Sequence, residues 1–257
     1  MQTLFFELQM MLTFERFYEF TEKVSDSACK YLDEVIDKTN IRFKLDGTMV
    51  TNADMQIESH IRSEIENDFP EHSICGEEKQ DSIKDSEYKW IIDPIDGTFS
   101  FASGVPLFGC LIGLLRNNKP LYGSMRLPFI KNAFISGDSL KCLLNGLPVS
   151  CNQDYDPTKS LILTTDDTRL SKSKFSKLFQ HLINQGSIYR TWGDCFGYYL
   201  LCTGKADLML DLDLKPYDIL PIIPIILGAG ACIQELPGEK FANILAYNPK
   251  MEKFLLK

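Results

Sequence analysis

The 257-residue chain has no dense run of lysine or arginine: 27 basic side chains stand against 35 acidic ones, for a formal net charge of −8. Binding a phosphate backbone needs a concentrated positive face, so nucleic acid is not an expected partner. None of the eight cysteines (Cys29, Cys75, Cys110, Cys142, Cys151, Cys195, Cys202, Cys232) sits in a C-x-x-C or a Cys/His zinc spacing. They read as free thiols, and the expected location is the cytoplasm. Only three histidines are present, His60, His72 and His181, all expected on helix faces or loops. The apolar opening "MQTLFFELQMMLTF" has no basic residue before Arg16, carries Glu7 and lacks a small-residue cleavage site. It is a poor secretory signal and too short to span a bilayer, so no membrane partner is expected. Met10 and Met11 stand as alternative starts to Met1. Internal repeats and low-complexity linkers are also missing.

What is present is an ordinary globular composition, 44% hydrophobic and 24% charged, on a chain long enough for one large domain or two joined halves. Phe14, Phe17, Tyr18, Val24, Ala28, Tyr31, Leu32 and Val35 recur at three- and four-residue steps, which predicts a helix from Phe14 to about Asp37. A second helix is expected after "VTNAD", with Ile57, Ile61 and Ile65 on one face and Pro70 ending it. The runs "KWIIDP", "LFGCLIGLL", "LYGSMRLP" and "NAFISG" read as a meander of strands. From "SLILTTDD" onward strands and helices alternate. Helices are expected over Ser171–Gln185, after Asp194 and after Asp218, and strands at "SIYRT" and "ADLMLDL". The division is placed between an α+β half, 1–145, and an α/β half, 146–257.

The stretch "WIIDPIDGTFSF", Trp90 to Phe101, sets two aspartates at the end of an apolar strand. Pro94 biases Asp93 toward an extended conformation, so the strand can end there with Asp96 brought round beside it. Two carboxylates facing one point repel unless they share a proton or hold a hard cation, and oxygen ligands suit Mg²⁺. The Ile95 carbonyl lies between them as a further donor. Gly97 lets a phosphate approach the backbone, and Thr98 adds a hydroxyl. The same residues also suit a plain Asp-rich turn with solvated side chains.

Other acids bear on that choice. Glu77 and Glu78 in "ICGEEKQ" follow a short apolar approach, and Glu78 reads as solvated. Asp218 in "KPYDILPII" opens a helix, either as an N-cap or as a ligand. Pro221 suits that helix's first turn, whereas Pro224 should kink it or end it early. Asp194 in "WGDC" is either another cap or a substrate contact, and Arg190 either a phosphate contact or a strand-end cation. The basic "TRLSKSKFSK" reads as a solvated helix start.

Taken in order, "KLDGTMVTNAD" (Lys44 to Asp54), "GEE", "WIIDPIDGT" and "YD" before an apolar helix ending in "GAGA" resemble the inositol monophosphatase family. The likeness runs from about Phe14 to Gly238. Within the family, "WGDC" and "LKPYD" are most similar to the histidinol-phosphatase branch. The resemblance implies a layered αβαβα sandwich and a Mg²⁺-dependent phosphomonoesterase with two or three ions per site. It implies metal ligation by Glu77, Asp93, the Ile95 carbonyl, Asp96 and Asp218. Asp54 and Thr98 match the pair that orients the attacking water, with Glu77 beside them, and Gly97 and Thr98 match phosphate contacts. Arg190, Asp194 and Asp211 fall at the substrate side; Asp211 stands where the family commonly has Glu. "GACIQELPG" and "FSF" also depart from the pattern, and neither removes a metal ligand. A homodimer and inhibition by lithium are further implications.

Chemically this is coherent, since a dianionic phosphomonoester resists water until its charge is neutralised. Carboxylates that recruit Mg²⁺ make an acidic chain attractive to phosphate. Histidinol phosphate is the expected substrate, with inositol monophosphate or another polyol phosphate as the rival. A bisphosphonucleotide has no feature arguing for it. A non-catalytic sugar-phosphate-binding relative would be expected to lose ligands, and Glu77, Asp93, Asp96 and Asp218 are all present.

Overall fold

The structure, a computed structural model, describes residues 12–35, 41–43 and 49–255. Met1, Met10, Met11, Lys44 and the expected end of the first helix at Asp37 lie outside the described residues. Helix α1 (Phe14–Val35) buries Phe17, Phe20, Val24, Ala28 and Leu32 along one stripe, as its apolar period predicts. A short antiparallel pair, β1 (Ile41–Phe43) and β2 (Met49–Thr51), leads into α2 (Asn52–Asp68), whose Ile57, Ile61 and Ile65 are buried. That helix starts inside "VTNAD" rather than after it, because Thr51 and Asp54 form a capping box. Asp54 therefore sits in a helical first turn.

The first large sheet runs in the order β3 (Ser73–Gly76), β4 (Tyr88–Asp96), β5 (Gly109–Arg116), β6 (Lys119–Leu127), β7 (Ala133–Gly137), β8 (Cys142–Leu144) and β9 (Leu147–Pro148), with α3 (Thr98–Ala102) after β4. Only β3 and β4 pair in parallel; the rest is antiparallel. The Asn145-Gly146 turn, where the sequence division was set, joins β8 to β9, and both strands belong to this sheet. One face packs Trp90, Ile92, Ile112 and Leu114 under α1 and α2. Trp90 is fully buried, stacked on Phe17 at a centroid distance of 5.7 Å, and its Nε1–H donates to His72 Nδ1 at 3.1 Å. The indole thus gains its apolar contacts without leaving its one donor unpaired.

The second sheet contains β10 (Leu161–Thr164), β11 (Ile188–Arg190), β12 (Leu208–Leu212), β13 (Cys232–Glu235) and β14 (Asn243–Tyr247), in the order β11-β10-β12-β14-β13. Here β10 pairs in parallel with β11 and β12, and the other pairs are antiparallel. On its outer face lie α4 (Asp167–Lys172) and α5 (Ser176–Asn184), packing Leu170, Phe179 and Leu182 on Ile162, Leu208 and Leu245. Between the sheets lies α6 (Asp194–Cys202), then α7 (Pro216–Ile219) and α8 (Ile223–Gly228); α9 (Glu252–Leu255) ends the described chain. Tyr198, Leu201, Ile225 and Ile226 share one core with Leu111 and Met125 of the first sheet and Leu163 and Met209 of the second. Helices, sheet, helices, sheet and helices succeed one another, the αβαβα order that the family resemblance implied. Among the described residues no helix is long and apolar enough to cross a membrane.

Three expected elements come out differently. The single helix over Ser171–Gln185 is two, because the Ser173 hydroxyl bonds the Leu170 carbonyl at 2.8 Å and accepts the Phe175 amide at 3.1 Å, diverting the backbone from the helical ladder. The helix after Asp218 is also two pieces. Its break falls at Pro221, and Pro224 sits in the first turn of α8, where a missing N–H costs nothing. A Cβ on Gly123 would lie 1.7 Å from the Pro221 carbonyl oxygen, so only glycine lets this connection lie flat on β6. Finally, β4 does not stop at Asp93 but continues to Asp96 through a register shift against β5.

Candidate functional site

The register shift turns the end of β4 so that Asp93 and Asp96 both reach one place. Asp93 is paired in register with Leu111 and Asp96 with Gly109, so β4 carries one residue more than its partner. Asp93 Oδ1 accepts the Ile95 amide at 3.1 Å, and the Ile95 carbonyl accepts the Thr98 hydroxyl at 3.0 Å. Gly97, at φ +87°, makes the turn into α3. Asp218 arrives in the first turn of α7, its Oδ2 held at 2.7 Å by the Lys215 amide. One oxygen from each of Asp93, Asp96 and Asp218 lies within 4.8 Å of the others.

Their electrostatics match the crowding. Burial, then the charges of Glu77, Asp96 and Asp218, push the Asp93 carboxyl well above its ordinary range. Burial and Asp194 do the same to Asp96, against which the Cys195 amide works by donating to Oδ2. Asp218 is raised to about 6, chiefly by burial, while the Lys215 amide works the other way. An all-oxygen donor set of three mutually repelling carboxylates fits a hard divalent cation such as Mg²⁺, which would relieve the repulsion.

Glu77 follows β3 and lines the same cleft, close enough that its charge is the largest carboxylate influence on Asp93. It stands outside the tight trio. Asp54 approaches from α2: its Oδ2 accepts both the Thr51 amide and hydroxyl, and its Oδ1 is buried without a partner. Burial raises it to about 6. An orphaned carboxylate oxygen needs a donor that the protein does not provide, and water fits that need.

Asp194 and Asp211 line the same cleft, of about 860 Å³, with Asp194 next to Asp96. Asp194 opens α6 at φ +49°, with Gly193 rather than Asp194 at the N-cap, so it is not a cap. Its amide donates to Thr165 Oγ1 at 2.9 Å, and the Thr165 side chain also hydrogen-bonds the buried Asp211. Burial lifts Asp194 to about 6 and Asp211 well above its ordinary range. Gly97 and Thr98 also line the cleft. Arg190 does not line it: its guanidinium donates to the Tyr189 carbonyl and lies 6.0 Å from the Trp192 ring centre on the exposed end of β11.

Sequence reasoning missed Thr165, Asp166, Asp167, Arg169 and Asp213 in the cleft wall. The signal was in "TTDD": in a parallel pair, loops after the carboxyl ends of strands form ligand sites, and β10 is such a strand. Arg169 is held by Asp213 and the Leu212 carbonyl. Among the described lining residues it is the one arginine or lysine, against nine aspartates and glutamates. His60, His72 and His181 lie on α2, before β3 and on α5, outside this lining.

A model of the inositol monophosphatase family matches residues 14–253. The chain is 32% identical over 197 residues to a histidinol-phosphatase of Chlorobaculum parvum, covering 77% of this chain and 76% of that protein. It is 35% identical over 206 residues to the chloroplastic bifunctional phosphatase IMPL2 of Arabidopsis thaliana, covering 79% of this chain but only 59% of that protein's length. Among solved structures, an inositol monophosphatase from Anabaena superposes with a TM-score of 0.78 at 25% identity, covering 94% of each chain. With the αβαβα layers and the carboxylate trio at the end of β4, these matches establish that the chain belongs to the inositol monophosphatase family of metal-dependent phosphomonoester hydrolases.

Proposed function

We propose that the chain hydrolyses L-histidinol phosphate, with Mg²⁺ held by Glu77, Asp93, the Ile95 carbonyl, Asp96 and Asp218. The observation that carries the substrate reading is the acidic wall beside the trio: Asp194, next to Asp96, and Asp211, with Thr165 bonded to the Asp194 amide and the Asp211 side chain. A phosphate ester bearing an ammonium and an imidazole would match that wall, whereas a neutral polyol gains less from two carboxylates. The histidinol-phosphatase name of one relative supports the same reading. Mg²⁺ held there would neutralise charge on the phosphate dianion and lower the pKa of a nearby water, so that it would lose its proton more readily. Asp54 Oδ1 and the Thr98 hydroxyl orient that water, and the turn at Gly97 and Thr98 receives the phosphate. Asp194 and Asp211 hold the cationic end of the substrate. Arg190 has no place in this arrangement.

The rival substrate is inositol 1-phosphate or another polyol phosphate. Phosphate release from the two esters, compared by kcat/KM with and without Mg²⁺, decides between them. Preference for the inositol ester leaves the metal site standing and overturns the substrate reading. Full activity in Asp93→Asn would overturn the metal reading, and a folded wild type with no turnover would favour the non-catalytic binding relative. Lithium inhibition and a homodimer belong to the same proposal, carried by the family resemblance, and a cytoplasmic location is carried by the eight free cysteines.

A further inference from the structure

One buried ion pair lies outside this chemistry and next to it. Glu58 is fully buried on α2, four residues after Asp54 and on the same helical face. Its Oε1 accepts Arg62 Nε at 2.7 Å and the Lys79 amide at 3.2 Å, and its Oε2 accepts the Glu78 amide at 2.7 Å. Arg62 closes the ring by donating to the Lys79 carbonyl at 3.2 Å. Opposite, the Glu77 amide donates to the Ile92 carbonyl of β4 at 3.2 Å. The backbone of residues 77–79 is therefore gripped from both sides, by β4 and by α2. Gly76 makes the approach possible, since a Cβ there would lie 2.3 Å from Glu58 Oε1.

We propose that Glu58, locked by Arg62, is a positioning residue that fixes the Glu77 loop so that the Glu77 carboxylate is presented to the metal site. A buried ion pair is a poor route to stability, because desolvation offsets most of the attraction. What this pair does supply is geometry: a carboxylate with fixed rotamer and two acceptors aimed at successive amides. Partners one bond removed from a ligand commonly set metal affinity by ten- to a hundredfold. The arrangement also ties Glu77 to Asp54, because one helix carries both Asp54 and the residue that holds the loop.

The inference rests on the reading of Glu77 as a ligand, and a double-mutant cycle separates the two. Mn²⁺ binding is measured by isothermal titration calorimetry for the wild type, Glu58→Gln, Glu77→Gln and the double variant, with near-ultraviolet circular dichroism as the check on fold. Gln at 58 keeps the size, loses the charge that holds Arg62, and keeps only one carbonyl acceptor for two amides. The expected result is about a tenfold loss of Mn²⁺ affinity in Glu58→Gln. In the Glu77→Gln background the same substitution should change affinity less than about twofold, because its target is gone. Additive losses, or unchanged affinity in Glu58→Gln while Glu77→Gln binds weakly, overturn the positioning role alone. Unchanged affinity in Glu77→Gln overturns the reading of Glu77 and the inference with it. If Glu58→Gln does not fold, Arg62→Lys keeps the charge and removes the bond to the Lys79 carbonyl. A smaller loss in the same direction, absent beside Glu77→Gln, is then expected, and an additive or null effect overturns the inference.

Discussion

Thr51 donates twice to one oxygen of Asp54, from its amide at 2.8 Å and its hydroxyl at 2.6 Å, and leaves the other oxygen buried and unpartnered. The helix cap and the water-orienting carboxylate are thus one structure. Thr51→Val removes the hydroxyl and keeps the shape. We expect a loss of about 1 kcal/mol in stability as the cap weakens. The larger effect should be on kcat, about tenfold, with KM little changed, because Asp54 acts on water rather than on substrate. Thr51→Ser should restore both. Unchanged kcat in Thr51→Val would remove Asp54 from the proposed role.

Asp93→Asn should abolish Mg²⁺-dependent turnover while raising the melting temperature of the metal-free protein. Asp93 is buried among Glu77, Asp96 and Asp218, so removing its charge relieves their mutual repulsion. Calorimetry in the presence of a chelator reads the second effect independently of activity. A lower metal-free melting temperature would show that Asp93 is bound into the fold by contacts and not strained by its neighbours.

The pH dependence of the metal-free protein follows from the same groups. Asp54, Asp194 and Asp218 are each raised from 3.8 to about 6. A raised carboxyl stabilises the fold fully below its unfolded value and loses that contribution as pH rises through the folded value. Metal-free stability should therefore fall between about pH 4 and 6 through these groups. Saturating Mg²⁺ should reduce that fall through Asp218, so the gain in melting temperature on adding Mg²⁺ should grow over the same window. A gain independent of pH would contradict the assignment of Asp218 to the metal.

How much of this was legible in the sequence depends on how local each cause is. Asp93, Asp96 and Gly97 sit within five residues, so one turn's chemistry announced them. Thr165, which joins Asp194 to Asp211, gave no local sign, because its partners lie 29 and 46 positions away and reach it after the parallel pairing of β10 with β11 and β12. The strands β13 and β14 were missed for a related reason. "CIQE" and "NILAY" carry weak alternation, and their mutual pairing and the docking of β14 on β12 define them. The split between α4 and α5 rests on one serine's hydrogen bonds, which compete with a helical pattern that itself reads as continuous.

His72 carries a prediction away from the cleft. It is held below its ordinary 6.5, chiefly by burial, and its Nδ1 accepts the Trp90 indole N–H, which requires that nitrogen unprotonated. For a depressed histidine the unfolded state binds the proton first, so this contribution is complete above about pH 6.5 and is lost as pH falls below it. His72→Gln keeps an acceptor and cannot titrate in this range. Urea unfolding at about pH 5.5 and 7.5 should show a smaller drop on acidification in the variant than in the wild type. Equal drops would place the acid sensitivity elsewhere.

Substrate choice is tested at Asp194, whose Oδ2 would lie 3.2 Å from a Cβ on Gly97, at the border between phosphate turn and acidic wall. Asp194→Asn removes a charge and keeps the size. If the wall holds a cation, kcat/KM for histidinol phosphate should drop at least tenfold more than for inositol 1-phosphate, the equivalent of about 1.4 kcal/mol of differential transition-state binding. Asp211→Asn should act in the same direction, and the two losses should not be additive because the Asp194 charge acts directly on the Asp211 carboxyl. Asp211→Glu, which lengthens the acid by one methylene, should disturb the Thr165 contact and lower the preference for histidinol phosphate. Equal losses for both esters in Asp194→Asn would mean that this carboxylate acts on the metal or phosphate end, through Asp96, whose carboxyl it already raises. The selectivity would then have to come from elsewhere in the cleft wall, with Asp166 and Asp213, at the mouth beside Arg169, as the next positions to change.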